Sequence, residues 1–223
     1  MQINLLYADP TLLICIKPVG ILSQSDGKED LSALLRAQEG LSFVQPAHRL
    51  DREAGGIVAL APTSAAAAVL SRSLAKGEWK KTYLAILKGE PESPTGELRD
   101  LLFHDANRNK AFVVTHYRKG VRSAVLRYRT LAQQKGLTLL AVELQTGRTH
   151  QIRVQFSSRG TPLLGDGRYG GGTGQLALWS TRLVLPHPQT RKPMTFFAPP
   201  PEEDPWHFFR DEITNLSERD LII

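Results

Sequence analysis

The sequence predicts an α+β fold built on a mixed, mostly antiparallel β-sheet with a few flanking helices. Short apolar runs bounded by Gly, Pro or Asp recur along the chain, whereas few segments carry helix signals. Hydrophobic residues make up 41% of the 223 residues and charged residues 22%. These proportions are typical of folded globular proteins and exclude a disordered or fibrous chain.

The strand-like runs are spread over most of the chain and are rich in apolar and β-branched residues. They are Thr11–Ile16, Gly56–Ala61, Lys81–Leu87, Val121–Leu131, Leu137–Leu144 and Leu176–Leu185. In the fourth run, Ala124 and Leu126 alternate with Val125 and Arg127. A period of two predicts a sheet with one basic face toward solvent.

Two segments carry helix signals and a third is ambiguous. Thr63 or Ser64 can cap an alanine-rich run that ends before Gly77, which supplies both a start and a stop signal. Leu31–Gln38 is a shorter candidate. Thr149–Ser158 has apolar residues at spacings that fit either a helix or a strand.

The charge distribution divides the chain into a basic body and an acidic tail. Residues 202–223 hold seven acids and two bases, which gives them a net charge of −5. Because the whole chain has a net charge of +6, the remaining 201 residues carry +11. With no internal repeat or long linker, we predict one folded body over residues 1–200 and an acidic tail over 201–223 that packs or frays at the surface. The excess positive charge favours a polyanionic partner.

Several function classes are excluded by what the sequence lacks. The single cysteine, Cys15, rules out intramolecular disulfides and a thiolate zinc cluster, and it favours a reducing cytoplasm. The six histidines do not fall at metal-ligand spacings, so we expect no metal. The glycine-dense segment 165–172 lacks a phosphate-loop pattern, so we expect no nucleotide cofactor. No apolar run is long enough to span a bilayer, and we expect no membrane association.

The segment His48-Arg49-Leu50-Asp51-Arg52 is the first candidate site. Two guanidinium groups flank one carboxylate and favour its ionised form. An anionic aspartate among cations suits covalent catalysis at an electrophilic carbon such as a sugar centre. A plain surface salt bridge is the alternative interpretation.

Two further segments carry candidate residues. Lys80-Lys81-Thr82-Tyr83 opens a strand and places a tyrosine at the edge of a basic surface, where it can stack on a base or satisfy its hydroxyl within the sheet. The segment 147–153 contains Arg148, His150, Gln151 and Arg153 and no acid. Such fixed donors suit phosphate contact or the orientation of a carboxylate.

Together these segments resemble the RluA family of RNA pseudouridine synthases. His48–Gly55 is similar to the family's His-Arg-Leu-Asp signature, and Lys17-Pro18-Val19-Gly20 to its early Lys-Pro-x-Gly motif. Lys80–Tyr83, Gly147–Arg153 and Pro162–Tyr169 follow in the family's order, so the resemblance covers the chain from about Leu5 to Pro199. It implies the pseudouridine synthase fold.

The resemblance also implies a reaction and roles for individual residues. Uridine in RNA is isomerised to pseudouridine by detachment, rotation and reattachment of the base, without cofactor or metal. Asp51 matches the catalytic aspartate, Tyr83 the tyrosine that stacks on the base and helps a late proton transfer, and Arg153 the basic residue that pairs with the aspartate. Arg49 matches a side chain that enters the stack when the base is flipped out. The remaining predicted substrate-binding residues are His48, Arg52, Lys81, Arg148, His150 and Gln151.

The expected partner is a structured transfer or ribosomal RNA stem-loop, and the resemblance favours a monomer. The small N-terminal RNA-binding domain of many relatives is not expected, because the motifs begin almost at residue 1. Two departures from the family pattern occur, Ala54-Gly55 in place of Thr-Ser and Leu178-Trp179-Ser180 in place of Leu-His-Ala.

Two alternative functions remain open from sequence. One is a relative that binds and remodels RNA with weak or no catalysis. The other is a glycoside hydrolase, which ordinarily uses a second carboxylate. Asp166 is the obvious candidate for that second group.

Overall fold

The computed structural model describes residues 1–24 and 30–223. Within these residues the chain forms strands, four α-helices and two short 3₁₀ helices. In chain order the elements are β1 (Asn4–Asp9), β2 (Leu12–Lys17), α1 (Leu31–Glu39), β3 (Gln45–Pro46), β4 (Gly55–Ala61), α2 (Ser64–Ala75), β5 (Lys80–Lys88), β6 (Thr95–Asp105), β7 (Lys110–Val114), β8 (Val121–Gln134), β9 (Leu137–Leu144), α3 (Gln151–Ser157), β10 (Leu178–Pro186), β11 (Pro193–Phe197), a 3₁₀ helix (Trp206–Phe209), α4 (Arg210–Thr214) and a 3₁₀ helix (Glu218–Leu221).

The chain divides into two compact units. The first unit comprises Met1–Lys81 and Ser180–Pro199, and the second comprises Thr82–Trp179 and Pro200–Ile223. Each unit has its own strands and its own cluster of buried apolar side chains.

The first unit is organised around β2 and β4, which pair antiparallel in the register Cys15↔Val58. Strand β1 pairs with the outer edge of β2, and β11 pairs antiparallel with β10. Every residue of β4 is buried, as expected for a central strand covered on both faces. Cys15 is also fully buried, and burial raises the pKa of its thiol to about 12, so it is apolar filler rather than a reactive thiol.

Helix α2 covers this sheet and begins where the sequence predicts. The Thr63 side chain accepts a hydrogen bond from the Ala66 amide at 3.2 Å, which caps the first turn. Ala66 and Leu70 face the core of the first unit, four residues apart on one side of the helix. Helix α1 is capped in the same way by Asp30, whose carboxylate accepts from the Ala33 amide at 2.8 Å.

The second unit is an antiparallel sheet in the order β5-β9-β8-β6-β7. In β8, Ala124, Leu126 and Tyr128 are buried while Arg127 is exposed, so the predicted alternation with a basic outer face is confirmed. The ambiguous segment 149–158 forms helix α3, in which residues 151–156 are all buried. Its polar residues Gln151, Arg153 and Gln155 are buried together with its apolar ones, so no exposed polar face marks the helical period.

The acidic tail contributes apolar side chains to the second unit. Trp206, Phe209, Ile213 and Leu221 are buried. The carbonyl of Leu221 accepts from the Thr82 hydroxyl at 3.5 Å. The tail therefore buries an apolar set, whereas its acids lie mostly at the surface.

The predicted fold class is confirmed by these pairings, and all six predicted strands are present with shifts of at most three residues at their ends. Strands β1, β3, β6, β7 and β11 were not predicted. No helix in the described residues is long and apolar enough to cross a membrane.

Candidate active site

Asp51 lies in a tight turn that leads directly into β4. The Ala54 amide donates to the Asp51 carbonyl at 3.1 Å, which closes the turn, and the Asp51 side chain is half-buried. Ala54, one of the departures from the family pattern, is buried, and its amide makes this turn bond without any side-chain hydroxyl. The turn is therefore formed with Ala at this position.

Backbone hydrogen bonds fix both sides of the Asp51 turn. Before it, the Ser23 hydroxyl accepts from the Leu50 amide at 3.1 Å and donates to the Leu50 carbonyl at 3.2 Å. At the residue that follows Asp51, the Gly20 amide donates to the Arg52 carbonyl at 2.8 Å, and Arg52 Nε donates to the Gly20 carbonyl at 2.9 Å. The Lys-Pro-x-Gly motif thus holds the aspartate motif in place.

Lys17 ties the same region together from inside the protein. Its side chain is fully buried, and Nζ donates to the carbonyls of Pro18 and Ile21 at 2.8 Å each and to that of Arg52 at 3.4 Å. Burial lowers the pKa of Lys17 to about 8, although the carboxylates of Asp51 and Glu53 oppose this shift. A buried ammonium thus organises the loop that carries the candidate catalytic carboxylate.

The lowered pKa of Lys17 predicts a pH-dependent stability. Because the folded protein binds this proton less tightly than the unfolded chain, its burial penalty is fully present below pH 8 and is relieved between pH 8 and 10.5. We expect the free energy of unfolding of the wild type, relative to Lys17→Met, to rise by about 3 kcal/mol across this range. Urea unfolding at pH 7.5, 9 and 10.5 measures this difference, with Lys76→Met as the exposed-lysine control. A difference that stays constant with pH contradicts the expectation.

His48 occupies a structural position beside the Asp51 turn. The Ala59 amide donates to His48 Nε2 at 3.1 Å, and the imidazole meets the Trp79 ring edge-on with centroids 5.6 Å apart. Burial, together with the positive charge of Lys81, lowers the pKa of His48 to about 3. His48 is therefore a neutral hydrogen-bond acceptor at physiological pH. Its predicted contact with the substrate is made by an uncharged imidazole.

The other predicted residues of the first unit are cationic. Arg49 and Arg52 are exposed on either side of Leu50 and Asp51, and Lys81 is half-buried. Burial lowers the pKa of Lys81. Asp51 is thus presented within a short segment that carries two solvent-facing guanidinium groups.

Tyr83 belongs to the second unit. It lies in β5 opposite Val142 of β9, and only 5% of its surface is exposed. Strand pairing on β9 fixes its backbone, so its phenol is held rigidly rather than displayed on a loop.

Arg153 is buried in α3 and makes a two-pronged ion pair with Asp166. Arg153 Nε lies 2.7 Å from Asp166 Oδ2, and its terminal nitrogen lies 2.9 Å from Oδ1. The two side chains are 3% and 0% exposed. The predicted pairing of Arg153 with Asp51 stays a prediction.

The three other predicted residues of the segment 147–153 differ in exposure and in hydrogen bonding. Arg148 is exposed, and its Nε donates to the Ser123 carbonyl at 2.9 Å. Gln151 is buried and braces the loop, since Oε1 accepts from the Arg148 amide at 3.0 Å while Nε2 donates to the Val125 carbonyl at 3.1 Å. His150 is buried with Nδ1 3.0 Å from the Tyr169 hydroxyl. His150 is thus held by a hydrogen bond in the core, and its predicted substrate contact stays a prediction.

Asp166 does not suit the second carboxylate of a glycoside hydrolase. Both of its oxygens bond to Arg153, and Oδ1 also accepts from the amides of Arg168 and Tyr169 at 3.1 and 3.2 Å. A general acid must be able to bind and release a proton at its substrate. A fully buried carboxylate held by a guanidinium and two amides is not placed to do so.

Sequence reasoning missed the bracing groups, namely Ser23 behind Leu50 and Tyr169 beside Arg153. The order of the motifs was the available signal for Tyr169, since it closes the Pro162–Tyr169 segment. No comparable signal marked Ser23. No group of three or more potential metal ligands occurs among the side chains that the structure describes.

Comparison with known proteins gives a consistent result. The family model described as RNA pseudouridylate synthase matches residues 11–158. The uncharacterised RNA pseudouridine synthase YhcT of Bacillus subtilis (strain 168) is 33% identical over 214 residues, which cover 91% of this chain and 70% of the relative. The dual-specificity RNA pseudouridine synthase RluA of Haemophilus influenzae is 33% identical over 204 residues, 88% of this chain and 92% of the relative.

A solved structure shows the same fold. Human RNA pseudouridylate synthase domain containing 1 superposes with a TM-score of 0.75 at 19% identity, covering 92% of this chain and 86% of the human chain. The predicted pseudouridine synthase fold is therefore confirmed.

Proposed function

This chain belongs to the RNA pseudouridylate synthase family, as its ordered motifs predict, and on that premise we propose that Asp51 carries out the isomerisation of uridine in RNA. The protein is an isomerase that converts uridine in RNA to pseudouridine. The N1–C1′ glycosidic bond breaks, the uracil rotates, and a C5–C1′ bond forms. The proton on C5 is lost while N1 gains one, so the product has the composition of the substrate.

Four of the predicted residues have proposed tasks in this reaction. The Asp51 carboxylate assists departure of the base, by attack on the sugar or the ring or by promoting a glycal. The Tyr83 ring supports the uracil and helps remove the C5 proton. The Arg153 guanidinium supplies fixed positive charge where negative charge develops. Arg49 fills the space left when the uridine is flipped out of its stack.

The observation that carries this proposal is the braced Asp51 turn. Hydrogen bonds between Ser23 and Leu50 and between Gly20 and Arg52 fix the backbone on both sides of Asp51, and Lys17 donates a second bond to the same Arg52 carbonyl. A reacting group held by rigid support loses little entropy when it meets its substrate. A plain surface salt bridge needs no such support.

We propose further that the substrate is a structured stem-loop of transfer or ribosomal RNA, and that the enzyme works as a monomer in the cytoplasm. The basic body, with exposed Arg49, Arg52 and Arg148, supports binding to folded RNA through phosphates. The relative named as having dual specificity supports a substrate range of more than one RNA. The single buried thiol of Cys15 suits a reducing compartment.

Pseudouridine mapping tests this function directly. Total RNA from host cells with and without the gene is treated with carbodiimide, and the adducts are mapped by reverse transcription. We expect at least one position in transfer or ribosomal RNA to lose its signal on deletion and to regain it with the wild-type gene. Identical maps in the two strains contradict the proposed function. A lost site in another RNA class contradicts the proposed substrate range.

A further inference from the structure

We propose that Asp166 and Tyr169 are positioning residues that orient the guanidinium of Arg153 and set how much of its charge reaches the substrate. This inference rests on the proposed function, because it assigns a role through Arg153. It accounts for the glycine-dense segment Pro162–Tyr169 and the glycines that follow it, which the reaction itself does not use.

The ion pair of Asp166 fixes the plane of the Arg153 guanidinium. Two parallel contacts of 2.7 and 2.9 Å allow one orientation, whereas a single contact permits rotation. Because both side chains are almost fully buried, solvent does not compete for these bonds. The guanidinium is therefore held in place before RNA binds.

The position of Asp166 is itself fixed by its own loop. Its Oδ1 accepts from the amides of Arg168 and Tyr169, and its carbonyl accepts from the Gly171 amide at 2.8 Å. A Cβ at Gly171 would lie 2.8 Å from the Asp166 amide nitrogen, a separation that side chains essentially never show. The glycine there permits the loop to fold back on Asp166.

Tyr169 supports Arg153 from a second direction. The Arg153 Cζ lies 5.3 Å from the centre of the Tyr169 ring, within the range of a cation–π contact. The Tyr169 hydroxyl accepts from the Ala111 amide at 2.7 Å and lies 3.0 Å from His150 Nδ1. The ring is thus anchored to β7 and to the first residue before α3.

These contacts also limit the charge that Arg153 offers. An anionic partner at 2.7 Å in a buried site offsets much of the guanidinium field, and the remainder depends on geometry. Loss of Asp166 therefore changes both the orientation and the strength of this field. Both changes act on the chemical step and leave binding of the RNA phosphates largely unaffected.

The first test compares Asp166→Asn with Asp100→Asn. Asp100 also makes a two-pronged pair in the second unit, with Arg159 at 3.0 and 3.2 Å, but it does not touch Arg153 in any contact that the structure shows. In single-turnover and steady-state assays of tritium release from 5-tritiated uridine RNA, we expect Asp166→Asn to lower kcat about 10²-fold with KM nearly unchanged. Asp100→Asn should stay within about threefold of wild type.

A spectroscopic measurement separates positioning from general destabilisation. In nitrogen-15 NMR of the full chain, the Arg153 Nε–H should give a resolved, slowly exchanging signal, identified by its absence in Arg153→Lys. Asp166→Asn should abolish this signal, and Asp100→Asn should retain it. Retention of the signal in folded Asp166→Asn overturns the inference.

Because Asp166→Asn leaves a buried guanidinium without its counter-charge and so costs stability, a second pair of variants is measured with it. Tyr169→Leu removes the ring under Arg153 and should lower kcat about 10-fold, whereas Tyr169→Phe keeps the ring, loses only its hydroxyl anchors and should lower kcat less than Tyr169→Leu does. Equal kcat for these two variants overturns the inference, whether or not Asp166→Asn folds.

The remaining outcomes separate this inference from the proposed function. A folded Asp166→Asn with wild-type kcat, or with an unchanged kcat and a raised KM, overturns the positioning role while the enzyme itself remains active. If the wild type modifies no RNA, the proposed function fails, and the NMR signal alone then decides whether Asp166 fixes Arg153.

Discussion

Asp51→Asn should lower pseudouridine formation by at least about 10⁴-fold and leave RNA affinity within about threefold of wild type. Asparagine has nearly the size of aspartate. Its backbone carbonyl still accepts the hydrogen bond from the Ala54 amide that closes the turn. It lacks the negative charge that assists departure of the base. The substitution therefore removes the chemistry and preserves the loop.

Tritium release from a 5-tritiated uridine transcript measures the turnover, and filter binding at a fixed salt concentration measures the affinity. The transcript is the RNA identified by pseudouridine mapping. Glu53→Gln is the matched control, because Glu53 lies in the same turn, is half-buried and also acts electrostatically on Lys17. We expect Glu53→Gln to retain turnover within about fivefold.

Turnover by Asp51→Asn at a rate close to that of Glu53→Gln would falsify the assigned role of Asp51. Equal losses in both variants indicate that the turn, rather than the aspartate, is what the reaction needs. A large loss of RNA affinity in Asp51→Asn alone also contradicts the assignment, since an anion is not expected to attract RNA.

The sequence predicted the strands that are mostly apolar runs and the strand that alternates with a period of two. Gly56–Ala61 is a continuous apolar run and Leu137–Leu144 is interrupted only by Thr138 and Glu143, and the structure buries nearly all of their residues. Strand β6 was missed because it includes Gly96 and the adjacent charges Arg99 and Asp100, so it is neither a continuous apolar run nor a sustained alternation. Strand β11 begins at Pro193 and, among the described residues, pairs with β10 alone, so neither its composition nor its pairing demands a strand-like sequence.

The candidate site was predictable to the extent that its chemistry lies in short motifs. The residues around Asp51 are adjacent in sequence, so their proximity needed no knowledge of the fold. The bond between Ser23 and Leu50 joins residues 27 apart, and that between Arg153 and Asp166 joins residues 13 apart. Nothing in residue type specifies which of several cations a carboxylate will bind. Long-range pairing of this kind is determined by how the loops fold.

The same distinction explains why Asp166 was first considered as a second catalytic carboxylate. In sequence it is one acid in a basic, glycine-rich segment, which suits either a proton donor or a counter-ion. Burial decides between them, because a carboxylate with 0% exposure needs a charged partner and has one in Arg153. Burial of a single loop aspartate does not follow from local pattern.

Gly56→Ala should lower the free energy of unfolding by at least about 4 kcal/mol, the largest stability effect expected in the first unit. Gly56 has φ +113°, which side chains rarely adopt, and it pairs with Lys17 where β4 begins. A Cβ there would lie 2.5 Å from the Ser180 amide nitrogen and closer still to the Ser180 carbonyl oxygen. Since both contacts are with backbone, the strand itself must move.

Gly77→Ala is the matched control, because Gly77 also has a positive φ of +73° but has no atom within 4 Å of the added Cβ. It should cost only about 1 kcal/mol, the ordinary penalty for a side chain in the left-handed region. Urea unfolding measures both variants, and turnover is measured on the same samples. Because β4 follows the Asp51 turn directly, Gly56→Ala should also reduce turnover, whereas Gly77→Ala should not. If the two variants lose equal stability, the close approach of Ser180 is not what requires glycine at position 56.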